Sequence, residues 1–123
     1  MLSIHALAIS VGNLHLQTEQ AAEIDFAALR SIETVTRVPL VLHGGSGITL
    51  ATRQTLAHLS HVKKFNIGTK LRMVFGKALR QTIADQPDQF DRIALLASTV
   101  LDMRQAAVRV MRNLVSPTHP ISI

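Results

Sequence analysis

Three short apolar runs, each closed by a polar or glycine-rich cluster and each followed by a helical pattern, constrain this chain most. "IHALAISV" (4–11) leads into "GNLH", "VPLVL" (38–42) into "HGGSG", and "KKFNI" (63–67) into "GT". Between them, "DFAALRSIETV" (25–35) spaces Phe26, Leu29, Ile32 and Val35 as one helical stripe, with Asp25 suited to cap it. "TLATRQTLAHL" (49–59) reads as a second, weakly patterned helix. "TKLRMVFGKALRQTIAD" (69–85) reads as a third, with Leu71, Val74, Phe75, Ala78, Leu79 and Ile83 on one side. A final helix is expected over 90–115, then a Pro-containing tail over 116–123.

Strand–helix alternation predicts an α/β fold with a parallel sheet and right-handed crossovers. Mostly apolar strands agree, since such strands are covered on both faces. His15 and His43 lie 28 residues apart and Asn66 lies 23 beyond. Those intervals are about one unit of an eight-unit (β/α)₈ barrel of roughly 250 residues. With 123 residues and no internal linker, one domain over 1–123 is expected, the equivalent of three such units.

Composition narrows the function classes. No cysteine is present, which excludes disulfides, thiolate metal sites and a cysteine nucleophile, and agrees with a cytoplasmic protein. No apolar run reaches the ~20 residues of a membrane span. "MLSIHALAISVGN" lacks a basic leader and a cleavage site, so no signal peptide is read there. The net charge is +5, and residues 61–123 hold ten Lys/Arg against four Asp/Glu. With no Tyr or Trp to stack bases, no nucleic-acid partner is expected, and the basic residues are read as solvated helix faces.

The three clusters fall at the C-terminal ends of their strands, where parallel α/β folds build ligand sites. "GGSG" before a helix offers backbone N–H groups, a hydroxyl and a positive helix end, the parts that bind phosphate; "GT" before 69–85 repeats them. His15 and His43 close adjacent strands and suit zinc, although a catalytic zinc takes three protein ligands. His5, His58, His61 and His119 are given no metal role. A P-loop is excluded because G-x-x-x-x-G-K-[ST] is absent, and a lipase-like oxyanion loop because no G-x-S-x-G elbow follows.

"ALAISVGNLH", "VPLVLHGGSGI" and "KKFNIGTKLR" resemble, in order and spacing, the C-terminal part of class II zinc-dependent ketose-bisphosphate aldolases. The tagatose- and fructose-1,6-bisphosphate type is the nearest flavour, and the likeness covers most of residues 4–115. It implies the last three βα units of a TIM (β/α)₈ barrel plus a C-terminal helix. The implied reaction is reversible aldol cleavage to dihydroxyacetone phosphate and glyceraldehyde 3-phosphate. The implied cofactor is Zn²⁺, with His15 and His43 as two of its three histidine ligands. Gly44, Gly45 and Ser46 match the phosphate loop, and Asn66, Ile67, Gly68 and Thr69 the segment that completes the substrate site. Asn66 is expected at the reacting carbons and Thr69 at the phosphate.

The departures are specific. No Asp-His pair exists to supply the family's acid/base and remaining zinc ligand, so no catalytic residue is assigned. Leu16 stands where the family usually has glycine, and Lys70 where it usually has glutamate. Three parallel strands leave two open edges, so the chain is expected to assemble with copies of itself or with a complementary barrel half, or to be unstable alone. It is expected not to be a competent aldolase alone. The alternatives are a non-catalytic sugar-phosphate-binding module or partner subunit of an aldolase and, after these, a basic interaction protein with a vestigial site.

Overall fold

The expected alternation of strand and helix is present, with shorter strands and a divided last helix. The computed structural model describes residues 4–12 and 22–115. Its elements run β1 (Leu7–Ile9), α1 (Phe26–Val35), β2 (Leu40–Leu42), a 3₁₀ turn (Gly45–Gly47), α2 (Leu50–Leu59), β3 (Val62–Phe65), α3 (Thr69–Asp85), α4 (Arg92–Ala97) and α5 (Val100–Leu114). The tail over 116–123, with His119, and the segment holding His15 and Leu16 lie outside the described residues.

The sheet has three parallel strands in the order β1-β2-β3. Leu7, Ala8 and Ile9 stand opposite Leu40, Val41 and Leu42. Val62, Lys64 and Phe65 continue the same rows, with an irregularity at Leu40/Val41 that passes over Lys63. Alternation along β2 turns Leu40 and Leu42 to one face and Val41 to the other. Leu40 and Leu42 are fully buried in a core with Val11, Leu29, Ile48, Leu56 and Val62, which brings α1 and α2 onto that face. The opposite face carries the row Ala8, Val41 and Lys64, whose outer members are exposed.

Caps explain the helix starts. Asp25 accepts from the Ala28 N–H at 2.9 Å ahead of α1, and Thr49 accepts from the Thr52 N–H at 3.2 Å ahead of α2. The single helix expected over 90–115 is two. The Ser98 hydroxyl donates to the Leu95 carbonyl and the Thr99 hydroxyl to the Leu96 carbonyl. The Thr99 N–H also bonds Leu96 rather than Leu95, which ends α4. Ser98 further pairs with the Thr82 hydroxyl of α3 at 2.7 Å, and α5 then packs along α3 and α2 with Ala106 and Val110 buried. No helix of the described residues is long and apolar enough to cross a membrane.

Candidate functional site

The tips of β2 and β3 are bound together beyond the strands. The Asn66 N–H donates to the Leu42 carbonyl at 2.9 Å, and the Gly45 N–H donates to the Asn66 carbonyl at 3.1 Å. These bonds set Asn66 beside His43, with Asn66 Nδ2 3.1 Å from His43 Nδ1. With the amide donating, Nδ1 is the acceptor.

Gly44 makes the turn possible. Its φ of +65° lies in the left-handed region, where a side chain is unfavourable. The chain then enters the 3₁₀ turn, closed by the Gly47 N–H on the Gly44 carbonyl at 3.0 Å. A Cβ on Gly45 would lie 3.1 Å from Ile67 Cγ1 and 3.2 Å from the Asn66 carbonyl, so the loop sits against β3 because this position has no side chain.

This turn carries Ser46 to the start of α3. Gly68, the N-cap residue, has no side chain to offer, and the Ser46 hydroxyl accepts from the Lys70 N–H at 3.1 Å instead. One loop therefore caps the helix of the next unit. The first turn of α3 holds no acid, yet Lys70 and Arg72 stand beside its positive end. The Arg72 guanidinium folds back toward Gly68, its Cζ 3.8 Å from where a Cβ would stand. Ser46→Ala is expected to lower the unfolding free energy by about 1 kcal/mol, as loss of an N-terminal cap does. An unchanged urea midpoint would count against the capping role.

A cavity of about 170 Å³, open to solvent, is lined by His43, Gly44, Ser46, Asn66, Gly68, Thr69 and Arg72. That is below the roughly 300–1,000 Å³ of pockets for larger organic ligands and suits a compact anion. Gly45 and Ile67 are not among its lining residues; Gly45 is buried behind the rim. The helix end at the cavity is that of α3, whose Gly68, Thr69 and Arg72 line it, while no residue of α2 does. The position of His15 lies outside the described residues, but the chain returns to this rim where the Ala22 N–H donates to the Gly47 carbonyl at 3.0 Å. Among the described residues no three His, Cys, Asp or Glu side chains gather where they could hold a metal, so His43 by itself does not fit zinc.

Two arginines belong to this region that the sequence did not single out. Arg72 lines the cavity, and its spacing of three from Thr69 was the available signal. Arg53 lies behind the loop, fully buried, and donates through Nη2 to the carbonyls of Gly45 at 3.3 Å and Ile48 at 2.9 Å. Its signal was positional: it stands three residues before Leu56, on the buried face of α2.

A sequence model of the family described as fructose-bisphosphate aldolase class-II matches residues 1–118. Among solved structures, the crystal structure of the YdjI aldolase from Escherichia coli K12 is similar at a TM-score of 0.67 and 27% identity. The likeness covers 91% of this chain and 39% of that one, so this chain spans about two fifths of that aldolase's length.

Proposed function

Because this chain belongs to the class II fructose-bisphosphate aldolase family, we propose that it supplies the phosphate-gripping strands of such an aldolase. In this reading β1, β2 and β3 are the last three strands of a (β/α)₈ barrel. The cavity at the strand tips carries the reading, because it brings His43, Gly44, Ser46, Asn66, Gly68 and Thr69 to one rim. Gly44, Ser46, Thr69, Arg72 and the positive end of α3 hold the phosphate of dihydroxyacetone phosphate. Gly45 and Ile67 support the rim from behind, and Asn66 faces the reacting carbons. Binding the remote phosphate orients those carbons, which is this chain's own contribution to rate.

The reaction of the completed barrel is the zinc-dependent, reversible cleavage of tagatose or fructose 1,6-bisphosphate. His43 and His15 are two of the zinc ligands, and the third, with the acid/base aspartate, comes from strands outside this chain. The described residues alone do not fit the metal, so the isolated chain binds the phosphate without turnover. The exposed row of Ala8 and Lys64 and the outer edges of β1 and β3 are the surfaces the remaining units cover. Val35, Leu59 and Phe90 are each more than four-fifths exposed, as expected of surfaces awaiting a partner. That partner is a complementary barrel half or further copies of the chain.

Dihydroxyacetone phosphate is expected to raise the melting temperature of the chain, while zinc and fructose 1,6-bisphosphate yield no triose phosphate above background. A melting temperature indifferent to dihydroxyacetone phosphate contradicts the phosphate site. Turnover by the chain alone at a whole-enzyme rate contradicts the incomplete barrel. A non-catalytic sugar-phosphate module is the second reading, favoured by the lack of any Asp-His pair in the sequence. It separates from the first if adding the missing strands still yields no turnover.

A further inference from the structure

Arg53 is an unusual core residue. It is fully buried between α2 and the loop at 45–48, and no ion pair offsets its charge among the described residues. Nη1 reaches Asn113 Oδ1 of α5 at 3.4 Å, Nη2 takes the carbonyls of Gly45 and Ile48, and Nε has no hydrogen-bond partner. Burial lowers the guanidinium pKa from its ordinary value, yet arginine keeps its proton in proteins. A buried cation without a counter-charge is unfavourable, and the carbonyls of Gly45 and Ile48 offset only part of that penalty.

The place of the charge gives it a use. The two carbonyls it binds flank Ser46 and Gly47, the part of the turn that presents Ser46 to the cavity. From the same turn the Ser46 hydroxyl meets the Lys70 N–H and lines the cavity.

We propose that Arg53 is a positioning residue for the anion site. It pins the carbonyls of Gly45 and Ile48, and its positive charge, just behind the loop, is offset when a phosphate group fills the cavity. This rests on the reading of that cavity as a phosphate site. A lysine could not span the three acceptors that the planar guanidinium reaches at once.

The test is thermal unfolding of the full chain in inorganic phosphate and in sodium chloride of equal ionic strength. Wild type is expected to melt higher in phosphate than in chloride. Arg53→Met loses three hydrogen bonds and is expected to melt lower in chloride, and also to need at least about tenfold more phosphate for half of its shift. Arg53→Lys, which keeps the charge, falls between. A variant Arg53→Met that loses stability in chloride yet keeps the wild-type phosphate midpoint overturns the proposal and makes Arg53 a structural residue only. A wild type that does not respond to phosphate instead overturns the phosphate-site reading beneath it. Should Arg53→Met not fold, the Arg53 Nε–Hε resonance of the wild type decides. It is expected to shift with the same phosphate midpoint as the melting temperature, and a resonance that stays put overturns the proposal.

Discussion

Gly12→Ala is expected to lower the unfolding free energy by about 3 kcal/mol or more. Two effects add. The φ of Gly12 is +92°, where a residue with a Cβ is strained by about 1–3 kcal/mol. The new Cβ would also lie 2.1 Å from the Glu23 carbonyl oxygen, a backbone atom that cannot rotate aside. Overpacking of that kind adds about 1–3 kcal/mol. Relief would move Glu23 and with it Asp25, whose N–H donates to the Val11 carbonyl at 2.9 Å and whose side chain caps α1. Urea unfolding followed by circular dichroism checks this, and a wild-type midpoint would show that the approach of 12 to 23 is not as tight as described.

Leu42→Ala is expected to remove about 3–4 kcal/mol, within the range for a fully buried leucine. Leu42 is 0% exposed on the central strand, in one cluster with Leu29, Ile48 and Leu56. No edge or solvent lies beside it to fill the space. Its carbonyl also holds the Asn66 N–H, so any collapse of β2 shifts the rim of the cavity. A small domain is stable by only about 5–15 kcal/mol, so this loss should move the urea midpoint far with little change in slope. A loss under about 1 kcal/mol would mean the core around β2 repacks freely.

What could be read from the residues follows how local each determinant is. The bounds of α3 agree with 69–85 because glycine precedes it, a stripe runs along it and Gln86–Pro87 stop it. Asp25 was legible as a cap for the same reason: the bond it makes spans three residues. The strands were read too long, since the apolar run over 4–11 forms ladder bonds only over Leu7–Ile9. Helical periodicity continues across Ser98 and Thr99, and only their side-chain bonds to Leu95 and Leu96 reveal the break. At the site, strand-end position was enough to gather His43, Gly44, Ser46, Asn66, Gly68 and Thr69 as candidates. Arg53 escaped because α2 is weakly patterned, and a charge on such a helix reads as solvent-facing. Its guanidinium meets Asn113, sixty residues away.

The sheet's strand number limits how it can be completed. Its strands all run one way, so a copy added at the β1 rim would present its own β3 rim, and addition repeats with the same polarity. Rings of such units contain six or nine strands, multiples of the three that each brings. An eight-strand closure is not a multiple of three. Self-association alone can therefore yield a ring of six or nine strands or an open filament, whereas the eight-strand closure proposed above takes five strands more.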